Sequence, residues 1–171
     1  MKKIVLLVST IGFLLSGCVT KPDNIQPITN FQADKYLGKW YEIARIDNRF
    51  EKGMTHVYAH YSLNSDGTIK VVNSGLTPST GNRNYAKGIA KFVKDKNTGY
   101  LKVSFFRPFY GAYVIFNLDK DYKYAYVSGA NKNYLWLLSR TKTVPQYIKN
   151  DFIEKAQNLG YDVNKLVWVK Q

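Results

Sequence analysis

From Lys39 to Ser139 the chain is a succession of short segments rich in Val, Ile, Tyr and Phe, alternating with polar residues and cut by Gly, Asn and Asp turns at near-regular spacing. Alternation with a period of two sends successive side chains to opposite faces, so the pattern specifies strands, and the short turns make neighbouring strands antiparallel. Eight strands are predicted: Lys39 to Arg45, His56 to Leu63, Thr68 to Ser74, Tyr85 to Val93, Tyr100 to Phe106, Ala112 to Leu118, Tyr124 to Gly129 and Tyr134 to Ser139. Two connections are longer, Ile46 to Thr55 and Leu76 to Asn84, and loops of that size at one rim frame a mouth.

After the strands, Ile148, Phe152, Ala156 and Leu159 recur at helical spacing, with Pro145 near the start and Gly160 just past the end. This predicts one amphipathic helix, followed by a last strand from Val163 to Val169. An antiparallel set of eight strands has edges to protect, and closing it on itself removes them. The expected fold is therefore all-β: an eight-stranded antiparallel up-and-down β-barrel with one C-terminal α-helix, whose interior is wide enough for one small ligand.

The first residues do not belong to that body. Lys2 and Lys3, an apolar run from Ile4 to Leu15 and small residues before Cys18 read as an export signal over residues 1–17. Twelve residues at ~1.5 Å each reach only about 18 Å, short of the ~30 Å hydrocarbon core, so a spanning helix is not expected. Cys18 is the only cysteine, which excludes an internal disulfide. The segment Leu15-Ser16-Gly17-Cys18 resembles the bacterial lipoprotein processing box, which implies acylation of Cys18 and a mature chain starting there. Several acyl chains, at ~0.8 kcal/mol per buried methylene, hold a protein to a membrane lastingly. Val19 stands where Asp is the inner-membrane retention signal, which implies sorting to the outer membrane. Residues 18–30, polar with two prolines, read as an extended tether, and residues 31–171 as the folded domain. The formal charge of +13 becomes +11 once Lys2 and Lys3 are removed, which favours acidic partners.

Gly38-Lys39-Trp40-Tyr41 matches the G-x-W motif of the lipocalins, Lys120-Asp121-Tyr122 their second turn motif, with Lys in place of the usual Thr, and Arg140 their third motif. The stretches "GKWYEIARIDNRFE", "LKVSFFRPFYGAY" and "YLWLLSRT" are similar to bacterial outer-membrane lipocalins and their apolipoprotein D relatives, over Phe31 to Gln171. The resemblance implies that Trp40 floors the barrel and that Arg140 stacks on it, both structural. Gly38 is expected to turn the chain tightly into the first strand.

With Trp40 inward, the two-residue period puts Glu42 and Ala44 inward as well, and Tyr41 and Ile43 outward toward the helix. Glu42 then needs a partner, since an unpaired buried carboxylate is unfavourable. Aligned to the family, the same alternation directs Ala59, Tyr61, Ile69, Val71, Asn73, Ala90, Phe92, Val103, Phe105, Tyr113, Trp136 and Leu138 toward the lumen. Small Ala59 and Ala90 among bulky residues leave room, although a filled barrel is the alternative. The ligand expected is an amphiphile, a fatty acid or lysophospholipid, oriented by Asn73, Tyr61 and Tyr113.

Other chemistries are weaker. His56 and His60 lie four apart on a strand, about 13 Å at ~3.3 Å per residue, too far for one metal, and no metal or cofactor is expected. No nucleophile motif with a placed His and acid is present, so no catalytic residue is named and the chain is not expected to be an enzyme. A basic, tyrosine-rich barrel that stacks single-stranded nucleic acid is a rival, opposed by the export signal, and so no nucleic-acid partner is expected. A purely structural envelope lipoprotein is another. A homodimer is compatible with the sequence. The barrel is expected to face the periplasm.

Overall fold

The computed structural model describes residues 19–171; the export signal and Cys18, with its expected acylation, lie outside the described residues. A four-residue helix, α1 (Ala33–Tyr36), leads into eight strands: β1 (Gly38–Ile46), β2 (Thr55–Leu63), β3 (Ile69–Thr77), β4 (Asn82–Phe92), β5 (Tyr100–Phe106), β6 (Phe109–Leu118), β7 (Tyr124–Ser128) and β8 (Leu135–Ser139). Helix α2 (Gln146–Asn158) and strand β9 (Leu166–Trp168) follow. Each strand from β2 to β7 pairs antiparallel with the next, and β1 pairs with both β8 and β2, so the sheet closes into a barrel with no free edge along its ring.

The last strand is shorter than the sequence predicts. Residues Val163–Lys165 form a single 3-10 turn, capped by the Asp162 side chain accepting from the Asn164 amide, before β9 pairs along Ala44 to Ile46. Helix α1 carries no sequence signal of its own, because four residues are too few for a periodicity.

Two apolar clusters flank the sheet. One lines the inside of the barrel around Trp40, Tyr61, Val71, Leu101 and Val127. The other lies outside, where Ile148, Phe152 and Ala156 of α2 pack on Ile43, Val114, Tyr126 and Leu137. Residues 19–30 are not the free tether expected: Ile25 is fully buried in the outer cluster, and Ile28 donates to the Ile115 carbonyl (2.9 Å) and accepts from Gly99 N–H (2.9 Å). Extended, apolar-bearing chain beside exposed backbone groups lowers its free energy by pairing with them.

The strand ends define the two rims. Gly38, Leu63, Ile69, Phe92, Leu118 and Ser139 lie at the closed end, capped by Phe31 and α1; the loop 47–54 and the β3–β4 and β5–β6 turns lie at the open end.

Candidate functional site: the barrel lumen

The floor is built on Trp40. Gly38, at φ +91°, turns the chain into β1, and an added Cβ there would lie 3.4 Å from the Arg140 guanidinium. Trp40 is fully buried, its Nε1–H donating to the Tyr36 carbonyl (2.8 Å). The Arg140 guanidinium lies 4.0 Å over its ring and donates to the carbonyls of Lys39 (2.9 Å), Lys35 (2.7 Å) and Tyr122 (3.2 Å). A single cation thus ties α1, β1 and the β6–β7 turn together.

In that turn the chemistry sits one step away from the motif. The Asp119 carboxylate accepts from the amides of Lys123 (2.5 Å), Tyr124 (2.6 Å) and Asp121 (3.2 Å), whereas Asp121 only meets Lys123 Nζ at 3.3 Å on the surface. Tyr122, at φ 57°, accepts from the Gln32 amide (2.9 Å). Asp119 was accessible to sequence reasoning through its position before a tight turn, where Asp captures backbone amides.

Above the floor, the hydroxyls of Tyr36, Tyr113 and Tyr61 form a chain, 2.7 Å and 2.9 Å. Burial pushes all of them well above the ordinary tyrosine range, so they act as neutral donors and acceptors. Three hydroxyl protons serve two hydrogen bonds within this chain, leaving one donor for another oxygen.

Of the residues directed to the lumen by sequence, Ala59, Tyr61, Ile69, Val71, Ala90 and Leu138 are buried in the inner cluster, and Phe92, Val103, Tyr113 and Trp136 pack against it half-buried. Asn73 is half-buried on the same face, its Oδ1 buried and without a hydrogen-bond partner. Phe105 is 46 % exposed at the open end. Its ring occupies the space where a Gly88 side chain would be, 2.8 Å from that Cβ position, so Gly88 is what lets it lie across the wall.

Ala44 is a correction. The β1–β8 ladder shifts between Glu42 and Ala44, so that Glu42 faces Leu138 and Ala44 faces Leu137. A bulge adds one residue to one strand and reverses the parity beyond it. Ala44 therefore joins Ile43 in the outer cluster, and Arg45 takes the inward position.

Arg45 organises a polar group the sequence did not reveal. Its Nη1 pairs with Glu42 Oε1 at 2.8 Å, and its Nη2 donates to the Glu51 carbonyl at 2.6 Å. The Glu51 carboxylate accepts from Trp136 Nε1 (3.1 Å) and Asn48 Nδ2 (2.7 Å). Burial, then the neighbouring Glu51 carboxyl, push Glu42 well above the ordinary carboxylate range against the pull of Arg45. Met54 of the same loop fills the space beside Gly75 on the inner wall, its Sδ 2.9 Å from where a Cβ would be. Loop 47–54 thus folds into the mouth.

Two surface concavities lie elsewhere: about 470 Å³ between residues 27–30 and the β6–β7 turn, and about 260 Å³ between loop 47–54 and β9. Neither is lined by the residues predicted for the lumen. Among the described residues no cluster of His, Cys, Asp and Glu is placed to hold a metal.

Residues 31–171 match the Lipocalin-like domain family. The chain is 50% identical over 159 residues to the outer membrane lipoprotein Blc of Vibrio cholerae, covering 92% of this chain and 93% of that protein. It is 44% identical to the outer membrane lipoprotein Blc of Escherichia coli K12, covering 95% and 93%, and 33% identical to apolipoprotein D of Mus musculus, covering 94% and 85%. In fold it is similar to insecticyanin of Manduca sexta, with a TM-score of 0.70 at 18% identity over 90% of this chain and 87% of that one. A closed antiparallel ring with an aromatic floor, a cation stacked beneath it and a single helix on its flank, together with these likenesses, makes this chain a member of the lipocalin family of non-enzymatic binding proteins.

Proposed function

We propose that the protein is an outer-membrane lipoprotein, attached through acylated Cys18, that takes up a fatty acid or lysophospholipid by enclosing its acyl chain in the barrel, for storage or transfer within the envelope. Relatives at 44% to 50% identity that carry the name outer membrane lipoprotein support the location. The observation that carries the ligand class is the inner wall itself. Apolar residues from β1 to β8 surround small ones, Ala59, Gly75, Gly88 and Ala90, above an aromatic floor. Asn73 Oδ1 and the spare tyrosine proton are the orienting polar groups, an acceptor and a donor in an otherwise apolar space.

Loop 47–54 and the Phe105 ring occupy the upper lumen, so a long chain enters by displacing Met54 and Phe105. The barrel faces the periplasm in this reading. Binding is passive: each methylene buried contributes ~0.8 kcal/mol before ordering losses, roughly fourfold in affinity. Displacement of a fluorescent fatty acid by saturated acids and lysophospholipids of rising length checks it. Affinity climbs steeply with length and Ala90→Trp abolishes it. A flat series, or an Ala90→Trp protein that binds as before, rules the enclosed chain out. Mass spectrometry of lipid extracted from the purified protein then names the occupant.

A further inference from the structure

Charge is unevenly spread round this barrel. Between Gly67 and Leu118 the chain carries eight lysines and arginines and one acidic residue, Asp95. That stretch contains four adjacent strands, β3 to β6. Asp95 lies in their closed-end turn, where its carboxylate accepts from the Asn97 amide (2.8 Å) and the Thr98 hydroxyl (3.1 Å).

Register places the cations on the outer face. Val72 lies opposite Lys87 and Lys70 opposite Ile89, while Lys91 lies directly opposite Lys102. Like charges facing across a ladder have Cβ atoms only ~4.5–5.5 Å apart and oppose strand pairing. Neither Lys91 nor Lys102 makes an ion pair among the described residues. The Asp66 carboxyl at the closed end is held below its ordinary range first by Thr68 and in lesser part by Lys91. A repulsive pair on an exposed sheet is relieved by an anionic surface laid against it.

The same wall is aromatic toward the mouth. Tyr85 is 61 %, Phe106 76 % and Phe109 71 % exposed. Tyr85 shares the outer face of β4 with Lys87 and Lys91, two and six residues on. Phe106 and Phe109 stack at 6.4 Å, and Arg107 follows Phe106 in the hairpin tip. Exposed rings beside lysines and arginines are the chemistry of the lipid headgroup region, where rings sit at the interface and cations meet lipid phosphate.

We propose that the outer face of β3–β5, with the β5–β6 hairpin tip, is a docking surface for an anionic phospholipid bilayer, which brings the open end of the barrel against the membrane. The docking is independent of what the lumen holds.

The test uses the full acylated chain in vesicles, with Phe106→Trp as a depth reporter read by brominated acyl chains and the wild-type chain as baseline for the native tryptophans. In vesicles containing phosphatidylglycerol the added tryptophan is quenched. The quenching disappears in phosphatidylcholine vesicles and at 1 M salt, where the Debye length is ~3 Å. Leu63→Trp, at the closed end, stays unquenched throughout. With ~1 kcal/mol per cation near an anionic surface, Lys87→Gln and Lys91→Gln each lower the docked-to-undocked ratio about fivefold. The proposal is overturned if the hairpin-tip reporter is unquenched, if it is quenched equally in both vesicle types, or if Leu63→Trp is quenched alongside it. It is also overturned if the emission of the Phe106→Trp protein shifts blue with protein concentration in the absence of vesicles, which would mean that a second copy covers the patch. Because the acyl anchor holds the chain to both vesicle types and no lumen ligand is read, these failures are distinct from failure of the carrier reading.

Discussion

Asp119 and Asp121 stand two residues apart in one turn, and only the first is bonded to the backbone it turns. Removing a carboxylate that accepts from several amides destabilises by about 1 to 2 kcal/mol, whereas an exposed ion pair contributes ~0 to 1. Asp119→Ala should therefore lower the chemical-denaturation midpoint clearly and Asp121→Ala hardly at all; equal effects would contradict the geometry. Glu42 supplies a second residue-scale expectation. Burial, with Glu51 beside it, raises its folded pKa, so the folded state holds that proton more tightly than the unfolded chain does. The contribution to stability is present below the unfolded value and is lost as pH rises through the folded one. Glu42→Gln, fixed in the neutral form, should flatten the fall in stability measured as pH rises from the ordinary glutamate value of about 4.3. A slope unchanged by the substitution would place the proton elsewhere. Glu42 announced the need for a partner in the sequence, but Arg45 became that partner only because a bulge turned it inward.

At the scale of elements, the bulge in β1 and loop 47–54 act together. By reversing parity after Glu42, the bulge sends Ala44 out against the helix-side cluster and brings Arg45 in, where it binds the carbonyl of Glu51 and holds the loop into the mouth. Met54 then lies on the inner wall beside Gly75. If this loop is the barrier to entry, Met54→Ala should speed fatty-acid association in stopped-flow fluorescence with the barrel still folded by circular dichroism; an unaltered rate would mean that another element gates the mouth. The helix was readable in advance, because Ile148, Phe152 and Ala156 keep one spacing and one face, whereas loop 47–54 has no period and takes its path from the side chains it meets.

For the whole molecule, the chain before the domain is part of the fold. Ile25 is fully buried although it precedes the family domain at residues 31–171. Ile25→Ala should destabilise by about 2 to 4 kcal/mol in equilibrium unfolding, as core truncations do, while a near-zero change would mean that residues 19–30 detach at no cost. Strand count, antiparallel order, barrel closure and the late helix were all legible in the sequence, since each follows from a local period or from turn chemistry that acts over a few residues. With Trp40 set inward by the lipocalin resemblance, the expected inward positions of Tyr61, Val71 and Ala90 followed from the same period of two aligned to the family. Other features depended on contacts between segments far apart in the chain: the exchange of Ala44 for Arg45, the seating of Met54 and Phe105 in the upper lumen, the tyrosine chain from α1 to β6, and the packing of residues 19–30. Alternation records which face a residue prefers only while the ladder stays in register. Where a bulge forms, or where irregular chain finds an unpaired backbone group or a gap left by glycine, the neighbours in space decide, and they are known only once the barrel has closed.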